Sequence, residues 1–354
     1  MSIRLALSAL LLALAGTWQV APAQEVPQRI RVLGNADGEE LHQVRGITFL
    51  GPDLVVLTAP EPALHLFSGG TMRSWGEKGA GPAELSNPRT VVSTGDRILV
   101  RDAQLRKIVA YDRSGRVVST RPFPSGIAYD LVVAGRDTLL GLVDMRSHTV
   151  VRLRGARQDT VLRYPVSGET VQLSAPGSPS LSLPPPFQPE PAWGAFPDGR
   201  IAFWDGRDDA VHILDRNGRR VARLALPSTR YTLTAADREA WLAGSFPGEI
   251  RGRNPFAALR EKARTEMKFP ATFPPVLGLL PDARGGVWVL HTPPSAGQRW
   301  TYLAQGQRPL AIRLPARRSL LAVSPTQMAV HARDADGVET VEIYRTPQRP
   351  RASR

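Results

Sequence analysis

A unit of roughly 35 residues recurs along this chain, and recurrence of that kind restricts the fold more than any composition value. Its clearest copy spans residues 88–123. Runs rich in Val and Ile at 89–93, 97–101, 107–111 and 116–120 are separated by Thr94-Gly95-Asp96, by Asp102, and by Asp112-Arg113-Ser114-Gly115. Short β-branched runs bounded by Gly, Asp or Asn read as an antiparallel meander. Residues 193–226 repeat the pattern nearly step for step, down to Asp205 and Asp215-Arg216-Asn217-Gly218. Further copies lie at 44–75, 128–164 and 277–314, and a sixth at 318–345 supplies only three strands. The missing strand has a donor in Arg29-Ile30-Arg31-Val32-Leu33, which stands alone ahead of the first copy. Lending an N-terminal strand to the last blade closes a ring and covers its edges. The pattern therefore predicts an all-β fold: a six-bladed β-propeller of four-stranded antiparallel blades, closed by residues 29–33. A two-domain sandwich would leave unexplained why the incomplete unit and the orphan strand fall at opposite ends.

Two segments interrupt the rhythm. Residues 165–191 carry three consecutive prolines at 184–186 with several Ser and Gly, and predict a surface loop broken by a short strand at 170–173. Residues 234–268 read as a helical insertion. Thr234 and Asp237 form a capping-box pattern, and Asn254-Pro255 places a cap residue ahead of a proline at the first helical position. Phe256, Leu259, Ala263 and Met267 recur at helical spacing, a stripe expected to pack on a face of the propeller.

The start of the chain bears on its compartment. Arg4 precedes an unbroken Leu/Ala/Ser run from Leu5 to Ala15, and Ala21-Pro22-Ala23 offers small residues to a signal peptidase, so residues 1–23 read as a signal peptide. The mature chain, 24–354, has no other stretch fit to span a bilayer. With 0 cysteines there are no disulfides, no thiolate sites and no lipid-bearing cysteine, and a free periplasmic or extracellular protein is expected. The net charge of +13 comes almost wholly from arginine, the lysines being Lys78, Lys107, Lys262 and Lys268. Those arginines are scattered, without a basic block interleaved with aromatics, so no nucleic-acid partner is expected.

Residues 75–88, Trp-Gly-Glu-Lys-Gly-Ala-Gly-Pro-Ala-Glu-Leu-Ser-Asn-Pro, resemble the glycine-rich inter-blade connection of NHL-repeat propellers. Residues 89–115 resemble one whole NHL repeat, including the Asp after the second strand and the Asp-x-x-Gly turn after the third. The chain is similar over residues 29–346 to the exported bacterial six-bladed propellers of that group. The first, third, fifth and sixth copies have drifted, and Thr58, Val143 and His291 stand where Asp102 and Asp205 stand. The resemblance implies a fold and little chemistry.

Individual motifs mostly have structural readings. Gly79-Ala80-Gly81 lacks the remainder of any phosphate-binding loop and leads into a strand. Asp102 and Asp205 occupy a turn-capping position. His65 and His212 hold one repeat position in two separate copies; His291 and His331 end second strands of neighbouring copies, and two ligands fall short of a metal set. No Gly-x-Ser-x-Gly elbow is present. No cofactor, metal or catalytic residue is assigned.

One constellation remains. Aligning the innermost strands places Arg45, Arg89, Tyr129, Trp193, Leu277 and Arg318 in one column, and Gly46, Thr90, Asp130, Gly194, Gly278 and Ser319 in the next. Arg45, Arg89, Tyr129, Asp130, Trp193 and Arg318 are thus the candidate channel-mouth site. Such a ring either holds anions and sugars through guanidinium forks and aromatic faces, or plugs the channel. The expectation is an exported, non-enzymatic binding propeller that recognises an anionic or carbohydrate-like ligand or an envelope protein. The alternative is a metal-dependent hydrolase or lyase resembling the gluconolactonase-like propellers. That reading requires several carboxylate or amide ligands on inner strands, where the aligned columns offer Asp130.

Overall fold

The middle strands of the blades carry continuous buried runs such as Leu54–Leu57, Ile201–Trp204 and Ala210–Leu214. Outer strands such as Val117–Pro122 face solvent. Strands buried on both faces belong to sheets covered on both sides. The computed structural model describes residues 24–347 apart from 36–38, 60, 62, 124–126, 145–146, 155–156, 166–168, 177, 179, 247–253 and 255. Residues 1–23, expected as a signal peptide, and Pro255, expected at the start of a helix, lie outside the described residues.

The sheets are six antiparallel meanders, each beginning with its innermost strand: Gly46–Leu50, Pro88–Ser93, Ile127–Ala134, Ala192–Ala195, Gly278–Pro281 and Arg318–Val323. Blade 6 is completed from the N-terminus. Arg29–Leu33 pairs antiparallel with Glu339–Arg345, Leu33 opposite Val341, so the chain is a six-bladed β-propeller closed as the repeat pattern predicts. Among the described residues, six apolar clusters fill the seams between adjacent blades, from Leu57, Leu64 and Val100 between blades 1 and 2 to Leu33, Val56 and Val341 between blades 6 and 1. Gln24–Glu25 adds a parallel strand to Leu310–Arg313 of blade 5, a pairing too short to leave a signal in the sequence.

A buried carboxylate reinforces the closure. Glu342, 3% exposed, accepts hydrogen bonds from Arg29 of the N-terminal strand (2.9 Å), from Arg318 of the innermost strand (2.8 and 3.0 Å) and from Tyr344 (2.6 Å). Burial alone would raise this carboxyl, but the hydrogen bonds from Arg318, Tyr344 and Arg29 outweigh it and hold the group below its ordinary range. Among the described residues no helix is long and apolar enough to cross a membrane.

The two interrupting segments fold together. The strand expected at 170–173 is Val171–Leu173, and it pairs with Leu181–Leu183 in a small hairpin. Helix α1 (Ala235–Ser245) starts with the expected capping box: Thr234 accepts from the Asp237 N–H, and Asp237 accepts from the Thr234 N–H. Helix α2 (Ala257–Glu266) begins later than the sequence suggests, with Phe256 at its cap and Asn254 accepting from the Phe256 N–H. The α2 stripe does not lie on the propeller. Leu259, Ala263 and Met267 pack with Leu242 and Phe246 at the end of α1 and with Leu173 of the hairpin, a separate small core. The apolar side chains of the two insertions find each other in this core, apart from the blade seams. Tyr231, tilted against the His291 ring and beneath Arg299, roots this cap on blade 5.

Two outcomes follow. Glu342→Ala should lower stability by about 2–4 kcal/mol, since it strands two guanidiniums at the closure. Because the folded-state carboxyl lies below its unfolded value, its contribution is present at neutral pH and lost on acidification through the carboxylate range. Urea melts of Glu342→Gln should then lack that acid-side component. Leu259→Ala should cost the cap about 2–5 kcal/mol. Hydrogen exchange would report faster exchange in both helices and the 171–183 hairpin, with the blades unaffected; uniform loss of protection would mean that cap and ring unfold as one.

Candidate functional site

The meander topology decides which side chains meet. Every innermost strand begins at one end of the channel, so every outer-to-inner connection emerges there. Segments 76–87, 165–191 and 226–277 are such connections, and the cap consequently stands on the same face as Arg45, Arg89, Tyr129 and Trp193. The channel has a volume of about 1030 Å³. Arg45, Arg89, Tyr129, Asp130 and Trp193 line it together with Arg101. The second column is small because the blades crowd there. A Cβ on Gly194 would lie 2.6 Å from Pro281 of blade 5, and one on Gly46 3.1 Å from Val91 of blade 2.

Local register, more than repeat position, aims the individual residues. The pairing of blade 2 slips between Pro88 and Thr90, which leaves Arg89 as the extra residue of a β-bulge. Blade 3 slips in the same place, between Ala128 and Asp130, with Tyr129 as the extra residue. A bulge re-aims the side chain it carries. Arg89 is exposed to the channel and has no hydrogen-bond or ion-pair partner among the described residues. Tyr129 instead lies flat over its own blade, where a Cβ on Gly141 would come within 2.7 Å of its ring. Its hydroxyl bonds Tyr164 (2.8 Å) and accepts from the Trp193 indole N–H (3.0 Å). Trp193, 7% exposed, belongs to the seam between blades 3 and 4 and presents little face to a ligand.

Arg45 donates to Asn87 Oδ1 (2.7 Å) and the Pro88 carbonyl (2.9 Å), pinning the start of blade 1 to blade 2. Arg318 is not brought to the channel. It forks onto Glu342, and blade 6 contributes Leu321 to Pro325 to the lining instead. There the register slip falls between Leu320 and Ala322, three residues further on, so Arg318 remains paired in the ladder.

Arg101 was not visible as a site residue in the sequence, since it reads as the interior of a strand between Val100 and Asp102. It is 4% exposed, and its guanidinium reaches the carbonyls of Ala128 (2.6 Å) and Tyr129 (3.2 Å) and the hydroxyl of Thr90. A charged residue inside an apolar run was the available signal. Burial lowers the pKa of both Arg45 and Arg101, and the charge of Arg89 lowers both further. Asp130 offsets part of this at Arg101. Deep in the channel, with only the Leu131 N–H donating to it (2.8 Å), the Asp130 carboxyl is pushed by desolvation up to about 6.

The two repeat aspartates cap their turns as the sequence suggested. Asp102 accepts four backbone N–H bonds, from Ser86, Asn87, Gln104 and Leu105, and Asp205 accepts from Arg207 and Asp208. His65 bonds Thr58 and Ser74, while His291 bonds the Pro275 carbonyl and Thr301. His331 faces Glu339 at 3.5 Å. Among the described residues no three His, Asp or Glu side chains gather as a metal set.

No protein-family model matches the chain, and no curated protein matches it by sequence. Solved structures do match it. A candidate exported protein from Bacteroides fragilis is 10% identical with a TM-score of 0.56, covering 93% of this chain and 98% of that one. A member of the DUF4221 family from Bacteroides vulgatus is 8% identical with a TM-score of 0.53, over 92% and 96%. A gluconolactonase from Xanthomonas campestris is 12% identical with a TM-score of 0.47, over 92% and 97%. At these identities the likeness concerns the fold, and the chemistry has to be read from the channel itself.

Asp130 gives a direct test of the channel electrostatics. Its folded pKa lies above the unfolded value, so ionising it costs stability as pH rises from the ordinary aspartate range to about 6, and the cost is complete above that. Asp130→Asn, which keeps the acceptor for the Leu131 N–H, should raise stability at pH 8 by about 1–3 kcal/mol and much less near pH 4. Melting curves across that range would check it.

Proposed function

We propose that this chain is an exported, non-enzymatic binding propeller whose channel mouth takes an acidic or carbohydrate-like ligand. One observation carries the reading: Arg89 stands in the channel without a counter-charge among the described residues, beside two further guanidiniums, Arg45 and Arg101. The lining offers a single carboxylate, Asp130, and desolvation disfavours its charge. Like charges held together in a confined space attract an anion strongly, because the low-dielectric walls weaken screening. The acidic group can belong to a small molecule or be presented by an envelope protein. Residues 1–23 support export, and the NHL-like connection at 75–88 supports a place among exported six-bladed propellers. The hydrolase or lyase reading calls for several carboxylates around the axis, and the single Asp130 weighs against it.

Calorimetric titration with citrate and with glucuronate at low ionic strength tests this reading. Saturable binding should weaken as salt is added. Arg89→Ala should weaken it by about tenfold or more while leaving the melting temperature unchanged, since Arg89 holds nothing in the fold. Equal binding by the variant, or no saturable binding by the parent, would sink the proposal.

A further inference from the structure

A second basic recess lies at the seam between blades 2 and 3, toward the end of the ring opposite the cap. It has a volume of about 460 Å³, within the usual range for ligand sites. Leu99, Ile108 and Ala110 form part of its lining, and Arg97, Arg121 and Arg136 bring three guanidiniums to it. Asp96 is the only acidic residue among those lining it. That carboxylate accepts from Thr94 (3.1 Å) and stands 3.8 Å from Arg97. Asp137, next to Arg136 in sequence, is occupied by Arg152 at 2.8 Å and Arg154 at 3.7 Å. The guanidiniums of Arg121 and Arg136 have no hydrogen-bond or ion-pair partner among the described residues.

Equivalent corners of other blades are built differently. Arg113 pairs with Asp53, Arg200 with Asp198 at 2.8 Å, and Arg284 with Asp282 at 2.7 Å. The recess at the seam between blades 4 and 5 sets one arginine, Arg200, against two aspartates, Asp198 and Asp282. Only the blade 2–3 recess, among these, has guanidiniums in excess. Arg121 is half-buried, and burial lowers its pKa, as expected of a cation that has lost water and gained no partner.

We infer that this recess is an anion site, separate from the channel, in which Arg121 and Arg136 hold a small oxyanion: phosphate, sulfate or carboxylate. Ser119 and Thr138 line the same space, and their hydroxyls can supply further donors. Guanidiniums and hydroxyls around a small volume match the acceptor-rich surface of such a group.

The full mature protein, exchanged into buffer free of phosphate and sulfate, can be titrated with inorganic phosphate and with sulfate by calorimetry and by thermal melting. The parent should show a saturable rise in melting temperature. Arg121→Gln with Arg136→Gln should weaken phosphate binding at this site about tenfold or more. In the anion-free buffer Arg121→Gln should melt at or above the parent, because it removes a desolvated charge that has no partner. Arg89→Ala should keep this component intact, so failure of the channel reading and failure of this one give different patterns. The inference is overturned if the double variant keeps the parent's saturable response, if the parent has none, or if Arg121→Gln melts well below the parent without anion.

Discussion

A blade of this protein is apolar on both faces of its two middle strands and cannot bury either face alone. Leu64, Val100, Ile201 and Val287 sit fully buried only because a neighbouring blade covers them. Burial of this kind propagates from seam to seam until it returns to its start. An open ring would expose two apolar faces and two strand edges, which is why the N-terminal strand matters beyond its five residues. Glu342 adds direction to that closure by tying the innermost and outermost strands of blade 6 through one buried carboxylate.

Ring closure also creates the channel and its chemistry. Six strands that start at one level crowd their first residues around an axis, so the chain uses glycine where backbones come close and polar side chains where water remains. Most of the guanidiniums so gathered are hydrogen-bonded within the protein, Arg101 to carbonyls and Thr90 and Arg45 to Asn87 and Pro88, while Arg318, away from the channel, forks onto Glu342. Arg89 in the channel, and Arg121 with Arg136 between blades 2 and 3, stand outside that pattern.

Much of the architecture could be read directly from residue order. The blade count, the orphan strand 29–33, the Asp turns and the Thr234 capping box all arise from local or periodic constraints, and each lies where the pattern put it. The candidate site was legible in part. Arg45, Arg89, Tyr129, Asp130 and Trp193 do line the channel, while Arg318 does not and Arg101 was overlooked. Repeat alignment assigns a level along the axis, but it does not say whether a ladder slips at that level. A slip at residue 89, another at 129 and a later one at 321 send three aligned side chains in three directions.

The sequence by itself thus determined the number of blades, their antiparallel meander and the way the ring closes, because hydrophobic periodicity and turn residues act over short spans. Tertiary structure alone decided that the α2 stripe turns toward the 171–183 hairpin instead of a blade, that Tyr129 lies over Gly141, and that Arg318 is captured by Glu342. Each of these depends on a partner distant in sequence whose position exists only once the ring has closed. The charges left unpaired belong to the same class, since the absence of a neighbour is a property of the assembled fold.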